Sequence, residues 1–432
     1  LRGRSNEVLQ MGVELIGDAS FESDVELLSL SIKALSSCSS GDIRIELGHV
    51  GIFKLLMEQL KVDEDLKAGI HQFISAKNYA ALSSKLDKCE RDQTAAILRE
   101  LPKLFGGTEV FEKARTLFDG YDNKLIEMLE YLKAIYDALK DLGLEESVII
   151  DFGLVNQADY YSSLVFKGYT SKAREPVLSG GRYDNLLKDF GCDLPATGFA
   201  VNVDQIATGI LDHNGKDRSH DAGKRLRIAL TKGRLEKSAI ELFEKMGFDC
   251  SHLNEKGRKL FLTIPDQNID VVFGKAADVI TYVEHGVCDM GIVGMDTIME
   301  QGGSFYEVLD LGFGRCRFVL AAPKDKDFYS GYSVKKVATK YPKITRDFFE
   351  EKGMDIQVIK IEGSVELAPL LSLADGIVDL VETGKTLAEN GLAVVNDIRK
   401  ISARLIVNET SMKLKKKAID AFISNMAEKI EK

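Results

Sequence analysis

The sequence is poor in the residues that hold metal ions or build disulfide frameworks. Its 432 residues include only six cysteines and six histidines. The cysteines are Cys38, Cys89, Cys192, Cys250, Cys288 and Cys316. They lie far apart without a CxxC pair, so we expect reduced thiols and not a disulfide scaffold. Because the sequence has no HExxH motif and no Cys/His cluster, a protein-ligated zinc site has no candidate.

Long apolar runs and an excess of basic charge are also absent. No stretch approaches about 18 uninterrupted apolar residues, and the opening LRGRSNEVLQ has the pattern of neither a signal peptide nor a transit peptide. The chain has 57 Lys and Arg against 67 Asp and Glu, a formal charge of −10. Since general nucleic-acid binding depends on Lys and Arg neutralising phosphates, we expect no nucleic-acid partner and only local phosphate binding. We expect a cytoplasmic protein without a membrane partner.

The composition divides the chain into two parts. At roughly 100–200 residues per domain, its length calls for two to four domains. Residues 212–225, DHNGKDRSHDAGKR, offer almost nothing to a core and predict an exposed linker. The parts on either side show no self-similarity, so the pattern indicates a fusion of two unlike halves.

The first half, residues 1–211, has strand signals at both ends and helical spacing between them. VLQMGVELIG alternates like a strand, and strand signals resume at 148–152, 162–169 and 196–203. From about 60 to 145, apolar residues recur every three or four positions. Strands interrupted by a helical insert predict an antiparallel α+β domain.

The second half alternates strands and helices at short intervals, which is typical of parallel sheets with helices on both faces. Two such sheets fit its length. We assign residues 226–322 together with 398–432 to one lobe, and residues 323–397 to the other. The cleft between the lobes is then the expected ligand site.

The sharpest local signal is DGIVDLVETGKTL, residues 375–387. A hydrophobic strand ends in ETGKT and a helix follows, which gathers backbone N–H groups, hydroxyls and a helix N-terminus where a phosphate could bind. The five residues are Glu382, Thr383, Gly384, Lys385 and Thr386. The alternative interpretation is an ordinary turn with Thr as the N-cap. An ATPase P-loop would need glycine at position 379, which is Asp379, so we do not expect one.

An acidic residue before T-G-x-T resembles the phosphoribosyl-diphosphate loop of phosphoribosyltransferases. The resemblance implies that the turn holds the 5-phosphate and that acidic groups face the ribose. It also implies that Asp379 is a catalytic residue, because an anionic neighbour suits a reaction that builds positive charge on the sugar ring.

The whole second half resembles one family. ALTKGRLEKSAIELFEKMG, GRKL, ADVITYVEHGVCDMGIVGMD, LGFGRCRFVLAAP and EGSVELAPLLSLADGIVDLVETGKTL follow one another in the order found in the short-form catalytic subunit of ATP phosphoribosyltransferase. The resemblance implies a two-lobed α/β fold like that of periplasmic binding proteins. The implied reaction moves phosphoribosyl from phosphoribosyl diphosphate to N1 of ATP, releases pyrophosphate and begins histidine biosynthesis. Mg²⁺ is expected to arrive with the substrates.

The resemblance implies roles for particular residues of this half. The expected catalytic cations, each of which alone could be a solvated surface charge, are Lys232, Arg234 and Arg258. The expected ATP-binding residues are Gly233, Gly291, Gly294 and Asp296, of which the last three are assigned to a turn after a strand. The expected second binding segment for phosphoribosyl diphosphate, at a helix N-terminus, comprises Gly363, Ser364 and Glu366.

The first half resembles histidyl-tRNA synthetase and, more closely, its non-synthetase relative, the regulatory subunit that accompanies the short-form transferase. The resemblance rests on VLQMGVELIGD, DFGLVNQADYYSSLVFKGY and LSGGRYDNLLKDFGCDLPATGFAVNVDQI. Asn156 and Gln205 replace two arginines that the synthetases use, so we expect no synthetase activity. The implied histidine site comprises Gln10, Glu14, Tyr160 and Tyr161. For Gln10 and Glu14, a polar outer strand face is the alternative.

These patterns lead to one hypothesis and one alternative. The hypothesis is an ATP phosphoribosyltransferase fused to a synthetase-like regulatory domain. Histidine inhibits it by favouring one of two catalytic conformations. We expect a homo-oligomer. The alternative is a two-lobed binding or sensor protein without catalysis, which would form no product from ATP and phosphoribosyl diphosphate.

Overall fold

The computed structural model describes most of the chain. The described residues are 7–38, 42–75, 77, 82, 85–86, 89, 92–155, 160–171, 173, 175–214, 225–255, 257–331 and 333–430. Asn156 and positions 215–224 of the predicted linker lie outside this set. The preceding helix extends to Asn214, so positions 212–214, which we predicted as linker, are helical. We call residues up to 214 the N-terminal half and residues from 225 the C-terminal half.

The described N-terminal half forms a mixed sheet with helices. Its strands are β1 (Gln10–Ile16), β2 (Ile43–His49), β3 (Phe105–Gly106), β4 (Val148–Asp151), β5 (Leu164–Thr170), β6 (Leu178–Arg182) and β7 (Ala196–Asn202). Its helices are α1 (Phe21–Cys38), α2 (Val50–Gln59), α3 (Glu64–Ser75), α4 (Gln93–Glu100), α5 (Glu109–Phe118), α6 (Asn123–Asp141) and α7 (Val203–Asn214). The strand order is β1-β7-β6-β5-β2-β4-β3.

The predicted antiparallel sheet contains one parallel pair. Neighbouring strands of the described sheet run antiparallel except β2 and β4. A parallel pair needs a long connection that returns the chain to the end of the sheet where it started. The helices between β2 and β4 supply that connection.

The helical insert shares its core with the sheet. Asp92 and Asp122 cap α4 and α6, since their side chains accept hydrogen bonds from the N–H groups of Thr94 and Lys124. The buried stripe of α6 comprises Leu125, Leu129, Leu132, Ile135, Tyr136 and Leu139. These residues belong to the same apolar cluster as the buried residues of β2 and β4. The spacing of three and four in the sequence therefore marks the face that contacts the sheet.

The described C-terminal half has two sheets. Its strands are β8 (Leu226–Thr231), β9 (Phe261–Ile264), β10 (Ile269–Gly274), β11 (Met290–Gly294), β12 (Tyr306–Asp310), β13 (Cys316–Pro323), β14 (Lys335–Thr339), β15 (Ile356–Lys360), β16 (Gly376–Val381), β17 (Leu392–Ile401) and β18 (Ala403–Val407). Its helices are α8 (Arg234–Lys245), α9 (Ser251–Asn254), α10 (Ala276–Glu284), α11 (Met295–Gln301), α12 (Pro342–Glu351), α13 (Leu367–Leu370), α14 (Lys385–Glu389), α15 (Glu409–Leu414) and α16 (Lys416–Ile430).

The chain crosses twice between these sheets. The first sheet has the order β12-β18-β11-β8-β10-β9 and the second the order β15-β14-β16-β13-β17. β13 pairs with both β16 and β17, so residues 316–322 and 398–401, which we assigned to the first lobe, belong to the second sheet. The predicted parallel sheets are mixed, because the strands next to the two crossings run antiparallel to their neighbours.

The two halves touch through their cores. Phe105 of β3 packs against the apolar cluster of the first C-terminal sheet, and its ring lies 6.1 Å from that of Tyr306. α15 contacts both β2 and β5. Among the residues that the structure describes, no helix combines the length and apolar character needed to cross a membrane.

Candidate functional site

Basic residues lie where the parallel strands of the first C-terminal sheet end. The backbone N–H of Lys232 donates to the carbonyl of Gly274, the last residue of β10, at 2.8 Å. Gly233 has φ of 99°, in the region that favours glycine, and turns the chain into α8 at Arg234. Arg258 is exposed in the turn before β9, whose start pairs with the end of β10. Lys232, Arg234 and Arg258 therefore share one edge of this sheet.

The predicted phosphate loop follows β16 of the second sheet. Gly384, with φ of 78°, is the N-cap of α14, a helix of only five residues. Thr383, Lys385 and Thr386 are exposed. Because glycine holds the N-cap position, the alternative interpretation of a turn capped by threonine does not apply, and the two threonines are left at the surface.

An ion pair crosses the cleft between the sheets. Nη1 of Arg234 contacts the carboxylate of Glu382, and these side chains are 56% and 61% exposed. A pair this exposed adds little to stability. The Glu382 carboxylate does, however, occupy the Arg234 guanidinium, which could otherwise bind phosphate oxygens. The contact shows that the turn after β8 and the loop after β16 face each other.

Further contacts join the two sheets beside this pair. The hydroxyl of Tyr341, just before α12, donates to Oδ2 of Asp296 in the first turn of α11 at 3.3 Å. Gly294 leaves room for Asp296, since a Cβ there would lie 2.1 Å from its Oδ1. The first N–H groups of α12 donate to the Glu300 carboxylate of α11 at 3.1 and 3.2 Å. Burial and the nearby carboxylates Asp296 and Asp379 raise the pKa of Tyr341, so its hydroxyl remains a donor.

Tyr341 is a residue of the cleft that the sequence motifs did not predict. No motif surrounds it, and the available signal was its place two positions after β14 of the second sheet, where side chains can reach a cleft. Its role depends on Asp296, which is 45 positions away in the chain.

Asp379 lies within β16 and is partly buried. Burial raises its pKa to about 6, and the negative charge of Glu366 adds to that shift. Glu366 precedes the four-residue helix α13, while Gly363 and Ser364 are exposed in the segment before it. The structure therefore brings Asp379 and Glu366 within electrostatic range of each other and leaves Gly363 and Ser364 at the surface.

Gly291 does not lie in a turn, so this part of the predicted ATP site needs correction. It is the second residue of β11 and is buried. A Cβ at this position would lie 2.8 Å from side-chain carbons of both Val279 and Val283 on α10. Gly291 is thus a packing glycine that lets a helix approach the sheet.

In the N-terminal half, Glu14 lies among three tyrosines. The hydroxyl of Tyr183 donates to the Glu14 carboxylate. The rings of Tyr160 and Tyr161 are 4.5 Å apart, and Tyr160 is 5.8 Å from Tyr183. Gly198 lies opposite Glu14 in the sheet, and a Cβ there would meet Glu14 Oε2 at 1.6 Å. Tyr183 is a second residue that we missed, although it stands in the quoted segment LSGGRYDN.

A cavity adjoins these tyrosines. It has a volume of about 520 Å³. Its lining residues are Lys54, Tyr160, Tyr161, Ser162, Asn185, Leu186, Lys188 and Asp189. Gln10, the first residue of β1, is exposed and lies opposite Asn202. The structure therefore groups Glu14 with the tyrosines, and Gln10 less closely. Gln205 sits in α7, and its N–H donates to the side chain of Asn202.

Comparison with known proteins follows the same division of the chain. Residues 275–428 match the family model for ATP phosphoribosyltransferase, and residues 2–206 match that for histidyl-tRNA synthetase. An ATP phosphoribosyltransferase of Clostridium kluyveri is 59% identical over 206 residues, 48% of this chain and 94% of that protein. One of Clostridium acetobutylicum is 56% identical over 212 residues, 49% of this chain and 99% of that protein. The chain belongs to the ATP phosphoribosyltransferase family.

Solved structures also match parts of the chain. A chain of an ATP phosphoribosyltransferase complex from Thermotoga maritima is 34% identical, with 48% of this chain and 98% of that chain covered and a TM-score of 0.42. An ATP phosphoribosyltransferase regulatory subunit/histidyl-tRNA synthetase from Bacillus halodurans is 28% identical, with 64% of this chain and 65% of that chain covered and a TM-score of 0.45.

Membership in the ATP phosphoribosyltransferase family confirms the prediction of a pentosyltransferase. The N-terminal half is a class II synthetase-like domain. The alternative of a binding protein without catalysis finds no support in these comparisons. The cleft between the two C-terminal sheets is therefore the candidate active site of an ATP phosphoribosyltransferase.

Proposed function

We propose that the chain joins N1 of the adenine of ATP to C1 of phosphoribosyl diphosphate and releases pyrophosphate, as the first step of histidine biosynthesis. The observation that carries the proposal is the contact of Arg234 with Glu382. It sets a basic turn and a phosphate loop on opposite walls of one cleft. The loop 382–386 holds the 5-phosphate, and Lys232, Arg234 and Arg258 hold the diphosphate.

The chemistry calls for alignment and charge stabilisation. The bond from C1 to the diphosphate oxygen breaks as the bond from N1 to C1 forms, so positive charge develops on the sugar and negative charge on the leaving group. The cations stabilise the departing diphosphate. Asp379 supplies negative charge near the sugar, and no nucleophilic side chain is required. Substrate displaces the Glu382 carboxylate from Arg234, which frees that carboxylate for the ribose hydroxyls.

ATP binds on the side of the first sheet. Gly233 and Gly294 let the nucleotide approach the backbone, and Asp296 with Tyr341 forms a polar wall beside it. The hydroxyl of Tyr341 bridges the two sheets through Asp296. In this proposal it therefore contacts ATP only when the two lobes are in the arrangement that keeps this bridge. In this proposal the lobes close on their substrates as those of periplasmic binding proteins do, and the C-terminal half is of the short-form type.

Mg²⁺ enters with the substrates. Among the described residues, no three His, Cys, Asp or Glu side chains lie together as a metal site. Mg²⁺ prefers octahedral oxygen coordination and keeps several waters. The diphosphate oxygens can therefore supply most of its ligands, with Glu382 or Asp379 as a single carboxylate in reach of the loop.

Histidine is the proposed inhibitor, and it binds in the N-terminal half. Glu14 can hold a cationic amino or imidazole group, and Tyr160 and Tyr161 offer ring faces beside the cavity. Inhibition requires histidine to bind one conformation of the transferase more tightly than the other. We further propose that the chain acts as a homo-oligomer.

The activity is tested by incubating the full chain with ATP, phosphoribosyl diphosphate and Mg²⁺ and following the absorbance of the adduct. Arg234→Ala is expected to lower kcat/KM roughly 100-fold, because it removes a cation from the leaving group. Lys237→Ala, which changes an exposed cation of the same helix, is the matched control and is expected to behave as wild type. Equal kcat/KM in the two variants contradicts the placement of the diphosphate.

A further inference from the structure

A buried cluster of charges joins the two halves of the chain. Lys413 of α15, in the C-terminal half, is fully buried, and its Nζ lies 2.6 Å from Oε1 of Glu46 and 2.8 Å from Oδ2 of Asp151. These carboxylates belong to β2 and β4, neighbouring strands of the N-terminal sheet. Lys77, also buried and from the N-terminal half, lies 3.4 Å from the same oxygen of Asp151. Two cations thus meet two carboxylates across the boundary.

Aromatic side chains from both halves surround the cluster. The ammonium of Lys413 lies 4.6 Å from the ring centre of Phe105 and 5.2 Å from that of Tyr306. The ammonium of Lys416 lies 4.4 Å from the ring centre of Phe105. The hydroxyl of Tyr169 donates to Oε2 of Glu46 at 2.7 Å. The cluster is therefore enclosed, and separation of the halves would expose it.

Lys413 is the charge that the C-terminal half contributes. Without it, Glu46 and Asp151 would be two buried carboxylates with Lys77 as the remaining buried cation of the cluster, which is strongly unfavourable. Burial by itself would raise the pKa of Glu46, but Lys413 and Lys77 hold that pKa well below its ordinary range. The charge state of the pair therefore depends on how the halves are docked.

On the N-terminal side, the cluster connects to the cavity beside the tyrosines. Glu46 lies three positions before His49, the last residue of β2. The ring of His49 caps α2 and is hydrogen-bonded to the hydroxyl of Ser163 at 3.0 Å. From α2, Lys54 lines the cavity and donates to the carbonyl of Tyr161 at 2.7 Å. A shift at the cavity wall can therefore reach Glu46 through one strand and one helix.

On the C-terminal side, the cluster connects to the cleft. α15 follows β18, and Ser411 within it donates to Oδ1 of Asp289 at 2.7 Å. Asp289 directly precedes β11, and the last residue of β11, Gly294, pairs with Ala403 of β18. Contacts thus link α15, which carries Lys413, to β11, which ends at Gly294, two positions before Asp296.

We propose that Lys413 is the positioning residue through which occupation of the N-terminal cavity alters the transferase cleft. The inference rests on the proposed inhibition by histidine and names the interface that carries it. In one arrangement of the docked halves, Lys413 contacts the carboxylates of both Glu46 and Asp151. A change of β2 that separates them forces α15, and with it β18 and β11, into a second arrangement.

The test compares Lys413→Met with wild type in the full chain. Isothermal titration gives the Kd for histidine, and the adduct assay gives the concentration that halves activity. We expect Lys413→Met to bind histidine within about threefold of wild type while at least tenfold more histidine is needed for inhibition. Because coupling is reciprocal, phosphoribosyl diphosphate should change the histidine Kd of wild type but not that of the variant. If Lys413→Met still binds histidine but phosphoribosyl diphosphate no longer changes its Kd, the substitution has removed the coupling and has not damaged the cavity.

Two further variants control the result. Lys417→Met removes an exposed cation four positions along the chain and is expected to match wild type in both measurements. If Lys413→Met fails to fold, the double variant Lys413→Met with Glu46→Gln, which leaves Asp151 paired with Lys77, takes its place with the same expectation. Inhibition of either Lys413 variant at the wild-type histidine concentration, with reciprocity retained, overturns this inference but leaves the proposed regulation standing. Wild-type enzyme that histidine does not inhibit overturns both.

Discussion

Asp379 shows how burial sets the charge of one side chain in the cleft. Its pKa rises from the ordinary 3.8 to about 6 because β16 buries it and Glu366 lies nearby. The folded protein therefore binds a proton at Asp379 between about pH 4 and pH 6 that the unfolded chain has released. By linkage, the free energy of unfolding falls as pH rises through this window and is level above it.

The expected size of that fall is about 3 kcal/mol at most, since each unit of pKa corresponds to 1.36 kcal/mol. Asp379→Asn should remove it, so that the variant gains stability relative to wild type as pH rises from 4 to 7. Urea unfolding at several pH values measures the difference. Asp325→Asn, at an exposed position in the same lobe, should follow wild type. Parallel curves for wild type and Asp379→Asn would contradict the assigned environment.

The sequence identifies those residues of the site that stand in motifs. Arg234 and Glu382 each belong to a quoted segment, and the structure brings them together across the cleft. Tyr341 and Tyr183 could not be assigned in the same way, because their significance depends on Asp296 and Glu14, partners distant in the chain. A contact between distant residues leaves no local pattern.

At the scale of elements, β11 shows what a local sequence pattern does not determine. The run VCDMGIVG predicts a strand and a following turn but does not show which glycine begins the turn. The structure places Gly294 at the turn and Gly291 inside the strand, under Val279 and Val283 of α10. Which face a helix covers is decided by tertiary packing, so the local sequence could not separate the two glycines.

Substitution of glycine by alanine distinguishes these environments. Gly291→Ala should lower the free energy of unfolding by roughly 1–3 kcal/mol, because the new methyl group would lie 2.8 Å from two valine side chains in a packed layer. Gly363→Ala is the matched control: an added Cβ there meets nothing within 4 Å, so a change within about 0.5 kcal/mol is expected. Urea unfolding measures both. Similar stability of the two variants would mean that α10 does not press on β11.

At the scale of the whole molecule, the division into two unlike halves was readable from composition, while their docking was not. The strand alternation of each half indicates its fold class without reference to the other half. The predicted lobe boundary differs from the structure, because β13 and all of β17 belong to the second sheet, and alternation along the chain does not reveal which sheet a strand joins. Glu46, Asp151 and Lys413 read as ordinary surface charges in sequence. Only the folded chain brings them together.

The docking itself can be measured through these charges. Lys413→Met should lower the free energy of unfolding by roughly 3–5 kcal/mol, because it leaves two carboxylates buried with too little positive charge. Adding Glu46→Gln should recover part of that loss, since one buried carboxylate, Asp151, then faces one buried cation, Lys77. Lys417→Met, at an exposed position, should stay within about 0.5 kcal/mol of wild type. The order of stability in urea is therefore wild type, double variant, single variant. A double variant less stable than Lys413→Met would show that the Glu46 carboxylate stabilises the chain without Lys413, and the boundary between the halves would then need another explanation.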